Sequence, residues 1–130
     1  MTNHWPIATG IAVVTAFFAM GGALVAQPMP AQAGKRIFIR CAGCHSLSDQ
    51  ARPMTGPHLH GIVGRKVASV EGYKYSQALR ARNFRWDEPK LDQWLKAPQA
   101  EIAGLCLPFT GLAKPADRAA LIAYLKQPAS

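Results

Sequence analysis

The sequence predicts an all-α domain in which short helices are joined by long ordered loops. Apolar side chains recur at helical spacing in two stretches, one that follows Asp87 and one that follows Pro115. From Ser46 to Lys74, glycines, prolines and polar residues interrupt any regular period, which indicates a loop. A loop of that length is uncommon in a compact domain unless another group packs it. The five residues that precede the loop indicate what that group is.

Those five residues are Cys41-Ala42-Gly43-Cys44-His45, the spacing that covalent haem attachment needs. Each thiol adds to one vinyl group of the haem to form a thioether, and the imidazole binds the iron. On a helical turn, residues three apart share a face, so the residue after the second cysteine projects toward a plane that both thioethers grip. We therefore expect one haem c, bound through Cys41 and Cys44, with His45 as its proximal axial ligand.

Two other uses of a Cys-x-x-Cys pair fit the sequence less well. A thioredoxin-like redox pair follows a strand in a βαβ pattern, and no such pattern is visible here. A structural zinc site needs four ligands, and the chain has no second Cys-x-x-Cys. The third cysteine, Cys106, has no partner once the pair is committed to haem, so no structural disulfide is expected within the chain.

The helices can be placed from their apolar faces and their ends. Ile37 and Phe38 give a short apolar face that leads into the haem motif, and residues Tyr75 to Arg82 could form a short helix. Asp87 is a candidate N-cap for the next helix, with Glu88 and Pro89 in its first turn. The last helix is predicted from Pro115 to Lys126, with Asp117 near its positive end. The apolar residues of these last two helices are Leu91, Trp94, Leu95, Leu121, Ile122 and Leu125.

The N-terminal segment has the character of an export signal. Residues 7–26 carry no charge, and the small residues Ala31-Gln32-Ala33 follow as a candidate cleavage site. The uncharged run is also long enough to span a bilayer. We expect residues 1–33 to be a signal peptide or an uncleaved N-terminal membrane anchor, and residues 34–130 to form the domain. The protein is then periplasmic, soluble after cleavage or held by residues 7–26 at the outer face of the inner membrane.

Net charge points to the kind of partner. The chain has 130 residues, one domain's length, with 15 Lys and Arg against 7 Asp and Glu, for a net charge of +8. Every charged side chain lies after the N-terminal segment, so the exported domain carries the whole excess, which suggests an acidic docking surface on the partner. Keeping a small domain soluble is the simpler explanation. Because the domain is expected to be exported, we expect no nucleic-acid partner. Lys35 and Arg36 oppose export on the positive-inside rule, but a long following domain is translocated despite its charge.

Further motifs follow the haem motif along the chain. They are Gly56-Pro57-His58-Leu59-His60-Gly61, Gly64-Arg65-Lys66, Gly72-Tyr73-Lys74-Tyr75-Ser76, Trp86, Pro108-Phe109-Thr110-Gly111-Leu112 and Asp117-Arg118-Ala119-Ala120-Leu121-Ile122-Ala123-Tyr124-Leu125. With these motifs, the sequence from Gly34 to Lys126 resembles a class I cytochrome c of the mitochondrial-like bacterial branch. The resemblance covers essentially the whole domain and implies short helices and long loops wrapped around a covalent c-type haem.

The resemblance implies roles for individual residues around the haem. The Pro57 carbonyl is expected to accept the ring N–H of the axial histidine, which fixes the tautomer of that ring. Arg65, Tyr75 and Trp86 match groups that hold the haem propionates, which are costly to bury without donors. Phe38 is expected to meet Leu121 and Tyr124 where the first and last helices cross.

Two histidines of the loop receive no ligand role. His60 matches a structural loop histidine, and His58 stands where the family usually has Asn, with no functional assignment. A domain this small has little core of its own, so we expect the haem to supply packing surface and the apo chain to be largely unfolded. The residues expected to pack against the haem are Ile37, Phe38, Leu59, Leu79, Trp94, Leu95, Leu107, Phe109 and Leu121.

The sequence departs from the family at the sixth iron ligand. The family pattern places Met there, but this chain has Leu107, which has no lone pair to offer. Three arrangements remain open at this stage. Cys106 could reach the iron as a thiolate, Leu107 could cap a five-coordinate iron, or a distant group could fill the position, with Met54 a candidate only if the loops rearrange. Leu105 also replaces the family's Thr near a propionate.

These observations support two function classes. The first is a one-electron carrier between respiratory or photosynthetic partners, such as a quinol-oxidising membrane complex and a terminal oxidase or reductase. The alternative is a haem-based ligand-binding or sensing protein for NO, CO or peroxide, with an open or Cys-ligated distal site. Leu107 is the residue that suggests this alternative. No distal histidine or arginine is placed by a motif to cleave a peroxide bond. We therefore expect an electron-transfer protein and not an enzyme, with weak peroxidase activity at most.

Overall fold

A computed structural model of the chain describes residues 1–2, 30–105 and 107–127. These residues contain helices but no strand, and their only sheet-like feature is an isolated bridge between Lys66 and Arg85. The all-α prediction is therefore confirmed. The helices are α1 (Pro30–Ala42), α2 (Gln77–Arg80), α3 (Glu88–Lys96), α4 (Pro98–Glu101) and α5 (Pro115–Lys126).

Two helices begin at capping residues. Asp87 adopts extended backbone and its carboxylate accepts the Lys90 N–H at 2.8 Å, which caps α3 as predicted. Ser76 caps α2 in the same way by accepting the Leu79 N–H at 3.3 Å. The helix expected over Tyr75 to Arg82 is confined to the four residues that follow this cap. The short α4 was not predicted.

The N-terminal predictions lie mostly outside the described residues. The uncharged run of residues 7–26 is among them, while the candidate cleavage site Ala31-Gln32-Ala33 falls in the first turn of α1. Among the described residues, no helix combines the length and the apolar character that crossing a membrane requires.

The crossing of α1 and α5 is the tightest contact between helices. A Cβ atom on Gly34 would collide with the Ala120 carbonyl, so only glycine allows the two backbones to approach this closely. One turn further along α1, the rings of Phe38 and Tyr124 pack with their centroids 5.8 Å apart. Leu121 is fully buried beside them. The predicted meeting of the first and last helices is thus confirmed.

A buried arginine joins α5 to α3. Only 6% of Arg118 is exposed, and its Nε donates to the Asp92 carboxylate at 2.7 Å. Its Nη1 donates to the carbonyls of Leu112 and Ala113 at 2.9 and 3.0 Å. Every donor group is therefore directed at an oxygen, which is the condition under which a buried charge is tolerated. The result is a fixed angle between the two helices that flank the apolar interior.

The long loop contains one strained residue. Ala68 has a φ of +53°, the only positive φ at a non-glycine position among the described residues. In this left-handed region the side-chain Cβ crowds the backbone and costs about 1–2 kcal/mol. Ala68 also lines the central cavity described below, so the strain lies where the loop turns against it.

We predict that Ala68→Gly stabilises the holoprotein by about 0.5–1 kcal/mol, because relief of the strain exceeds the entropy that glycine adds to the unfolded chain. The control is Ala119→Gly, the same substitution on the exposed face of α5, which should destabilise by about 1 kcal/mol. Denaturant unfolding of the three proteins measures both effects. A loss of stability in Ala68→Gly would contradict the strain.

Candidate haem site

A large cavity opens between the helices and the long loop. It has a volume of about 900 Å³, near the upper end of the roughly 300–1,000 Å³ range of cofactor pockets. Its walls are mainly apolar, which suits a flat hydrophobic ring. The apolar side chains that line it include Phe38, Leu59, Ile62, Leu79, Trp86, Leu91, Trp94, Leu95, Leu105, Leu107, Phe109, Leu121 and Leu125.

The Cys-x-x-Cys-His motif lies along one wall of this cavity. Cys41 sits in the last turn of α1, and its carbonyl accepts the N–H groups of Cys44 and His45, each at 3.0 Å. This turn brings both thiols and the imidazole to the same lining, and neither thiol is in a disulfide. Burial raises the pKa of the Cys41 thiol, against the opposing effect of Arg40. Within the described residues, no cluster of three metal-binding side chains suggests a zinc site instead.

The imidazole of His45 is held in a single orientation. Its Nδ1 lies 2.7 Å from the Pro57 carbonyl, and since a carbonyl only accepts, Nδ1 carries the proton. The lone pair is then on Nε2, the atom that is free to bind a metal. Gly56 makes this contact possible, because a Cβ there would collide with the ring of His45. The Gly56 N–H also donates to the Cys44 carbonyl at 2.8 Å, which ties the loop to the motif.

One corner of the cavity has the chemistry of an anion site. The Arg65 guanidinium donates to the carbonyls of His60 and His58, each at 2.8 Å, but it has no carboxylate partner among the described residues. Burial lowers the pKa of Arg65, as expected for a cation without a counter-charge. A bound carboxylate would supply that charge.

Two aromatic donors share this corner. The Tyr75 hydroxyl accepts the Val70 N–H at 3.2 Å, which leaves its own O–H free to donate, and burial raises the pKa of Tyr75 so that this proton is retained. The Trp86 indole N–H has no protein acceptor within the described part of the chain. Its ring packs edge-on to Trp94, with the centroids 5.2 Å apart. The donor set therefore fits a haem, with thiols, an imidazole and an apolar wall at one place and carboxylate-binding groups at another.

The remaining described histidines and methionines do not line the cavity. His58 and Met54 lie instead along a smaller groove of about 260 Å³ outside it. His60 faces the exposed carboxylate of Asp49, with Nδ1 3.8 Å from Oδ2. His45 is thus the one histidine of the described residues at the cavity wall. The suggestion that Met54 fills the sixth position finds no support in this placement.

Another part of the cavity wall is formed by the stretch that departs from the family pattern. Leu107 and Phe109 line it, and Cys106 lies outside the described residues. The side chain of Gln99, on α4, donates to the carbonyls of Leu107 and Phe109. Sequence reasoning missed this residue, because a single glutamine in a short unpredicted helix gives no pattern.

Comparison with known proteins agrees with this geometry. The sequence model of the family described as Cytochrome c matches residues 31–128. Cytochrome c-554 of Methylosinus trichosporium is 39% identical over 117 residues, which cover 90% of this chain and 88% of the relative. Cytochrome c2 of Rhodoblastus acidophilus is 38% identical over 95 residues, which cover 73% of this chain and 89% of the relative.

The chain belongs to the cytochrome c family. Among solved structures, cytochrome cH from Methylobacterium extorquens matches with a TM-score of 0.69 and 36% identity, covering 74% of this chain and 96% of the other. The predicted class I cytochrome c fold is confirmed. As a cytochrome c, the protein is a one-electron carrier and not an enzyme, and it carries one covalently attached haem c.

The surroundings of His58 make the stability of the cytochrome depend on pH. Desolvation and the nearby Arg65 guanidinium lower the pKa of His58 below its ordinary value of 6.5, against a smaller opposing effect of Asp49. As pH falls below about 6.5, the unfolded chain binds a proton at His58 that the native protein resists. The full stability is therefore present above about pH 6.5. Part of it is lost as the pH falls toward the pKa of His58 in the native protein.

We predict that the free energy of unfolding falls more steeply between about pH 7 and pH 5 in the wild type than in His58→Asn. The asparagine keeps a polar side chain but cannot take up the proton. Denaturant unfolding of both holoproteins across this range measures the difference. Parallel pH dependences would show that the pKa of His58 is not lowered in the native protein.

Proposed function

We propose that this cytochrome holds its haem through thioethers at Cys41 and Cys44, with His45 as the proximal axial ligand. The 2.7 Å contact between His45 Nδ1 and the Pro57 carbonyl is the observation that carries this assignment. Because Nδ1 donates its proton there, Nε2 is left free to bind a metal beside both thiols. Arg65, Tyr75 and Trp86 are the donors we assign to the propionates. Trp94 and Leu107 are assigned to packing against the ring.

The bound haem supplies an iron that accepts and releases one electron. The protein contributes an apolar wall that excludes water, so that little solvent has to reorient when the charge at the centre changes. The fixed His45 ring keeps the ligand geometry the same in both states. Arg65 counters the propionate charge, which otherwise would be expensive to keep inside the fold.

We propose that Leu107 occupies the position that the family's axial methionine takes. Leu107 lines the same cavity as the motif, and a leucine has no donor atom. Without a thioether there, the sixth position of the iron would be capped by the apolar side chain, taken by the Cys106 thiolate or filled by a more distant group. A thiolate would stabilise the ferric state and lower the potential, whereas an open face would admit small ligands. An open face would favour a second function beside electron transfer, the binding of NO, CO or peroxide.

The charge distribution supports acidic redox partners. Within the described residues only three Lys or Arg side chains, those of Lys90, Arg118 and Lys126, form ion pairs with carboxylates. The other basic side chains, including Arg40, Lys66 and Lys74 around the cavity, have no such partner among the described residues. Uncompensated positive charge is therefore also present where the haem edge would lie, and it would steer a partner with a negative surface. A quinol-oxidising complex and a terminal oxidase or reductase are the partners we propose.

We also propose that residues 1–33 direct export and that residues 34–130 form the cytochrome domain in the periplasm. Thioether attachment and the uncharged run at residues 7–26 support this assignment. Whether that segment is cleaved or stays as a membrane anchor is decided by the N-terminal sequence of the exported protein.

We predict that Leu107→Met converts the ferric protein to a low-spin methionine-ligated form with a raised reduction potential, because it supplies the missing thioether. Ferric absorption and EPR spectra together with a potentiometric titration measure the change. Leu112→Met is the matched control, since Leu112 is a buried leucine that does not line the cavity, and the variant should leave the iron ligands unaltered. An unchanged spectrum in Leu107→Met would contradict the assignment of this position.

The same spectra separate the two candidate functions. A low-spin ferric wild type with fast outer-sphere electron exchange supports the carrier, and loss of that spectrum in Cys106→Ala identifies the thiolate as ligand. A high-spin ferric spectrum, with CO binding to the ferrous protein at micromolar gas concentrations, would instead support the ligand-binding protein.

A further inference from the structure

The stretch of chain that carries Leu107 and Phe109 is held by few backbone hydrogen bonds. Before it, the Leu105 N–H donates to the Ile102 carbonyl at 3.2 Å, and after it, the Leu112 N–H donates to the Leu95 carbonyl at 2.7 Å. Between these two points, residues 107–110 make no backbone-to-backbone hydrogen bond within the described part of the chain. We call residues 107–110 the distal segment.

One side chain supplies the hydrogen bonds that the distal segment lacks. Nε2 of Gln99 donates to the Leu107 carbonyl at 2.8 Å and to the Phe109 carbonyl at 3.1 Å. Both partners can only accept, so the NH₂ end of the amide must face the segment and the orientation of the amide is determined. The two bonded carbonyls flank Pro108, which has no N–H of its own to offer.

Gln99 reaches the segment from a rigid base. It follows Pro98 in α4, and both Pro98 and Ile102 at the end of that helix are fully buried. The Ile102 N–H donates to the Pro98 carbonyl at 3.1 Å, which closes the turn. Glu101 ties the same turn to α3 through its 2.6 Å ion pair with Lys90. Packing on both sides therefore fixes the backbone of Gln99, while its side chain lies at the surface and reaches the segment from there.

We propose that Gln99 is a positioning residue that holds the distal segment closed over the open face of the haem and limits the entry of small ligands. This role rests on the haem placement proposed above, because Leu107 and Phe109 line the cavity while their carbonyls accept hydrogen bonds from Gln99. Opening the segment breaks both bonds and exposes the apolar side chains. Without Gln99, only the packing of those side chains stabilises the closed state.

The test compares Gln99→Glu and Gln99→Ala with the wild-type ferric holoprotein, using imidazole as the probe ligand. Glutamate has the shape of glutamine but cannot donate a hydrogen bond, so it removes the two contacts and leaves the volume unchanged. We expect both variants to bind imidazole about threefold to tenfold more tightly, the factor that one or two net hydrogen bonds contribute to a closed state. Optical titration measures the affinity, and stopped-flow mixing measures the association rate.

Gln93→Glu and Gln93→Ala are the matched controls. Gln93 is an exposed glutamine on α3 whose side chain makes no hydrogen bond to the described residues, so its variants reproduce the change in charge and size without touching the distal segment. We expect wild-type imidazole affinity in both. Denaturant unfolding of all variants identifies any that are globally destabilised.

A second readout does not depend on the haem. Cleavage by chymotrypsin after Phe109 reports how often the distal segment opens, because proteolysis of a locally opened site follows the population of the open state. It should be faster in both Gln99 variants and unchanged in the controls. Imidazole affinity and cleavage that match the wild type would overturn the role of Gln99. A wild-type protein without any haem spectrum would overturn the haem placement instead, while cleavage would still test the contact.

Discussion

The fold depends on the contact between an apolar cavity wall and the flat cofactor that fills it. Protein interiors are close-packed, and voids larger than a water molecule are rare. In the described part of the chain the helices have at most 13 residues, and a cavity of about 900 Å³ lies between them, lined by core residues such as Phe38, Trp86 and Leu121. The helices pack directly on one another at the α1–α5 crossing, around Arg118 and between α3 and α4, whereas the long loop packs along the cavity that the haem is proposed to fill.

The same constraint explains why polar groups are placed where they are. His45 is fixed by a carbonyl on the loop, so the loop and the motif must come together before the imidazole is oriented. Arg65 is held by two carbonyls of the same loop and lacks a carboxylate partner among the described residues. Both arrangements suit a group that offers a metal on one side and anions on another. The structure of the loop is therefore coupled to the chemistry of the cofactor.

The sequence predicted those features that are set by neighbouring residues or by a recognisable motif. The caps at Asp87 and the spacing of the haem motif are local, and the tautomer of His45 follows from a partner that the family resemblance identified. The bonds from Gln99 to the distal segment and from Arg118 to Asp92 were not predicted. They join residues that only the tertiary fold brings together, and glutamine or arginine on a helix is ordinarily a solvated side chain.

Covalent attachment of one haem at Cys41 and Cys44 is the central claim, and peptide mass spectrometry tests it most directly. The protein should be produced in a cell competent for thioether maturation and then digested. The account predicts that the peptide containing both cysteines carries the added mass of one haem, and that replacing either cysteine by serine reduces the yield of that adduct. Both cysteines recovered unmodified, in a protein that is nevertheless folded, would contradict it.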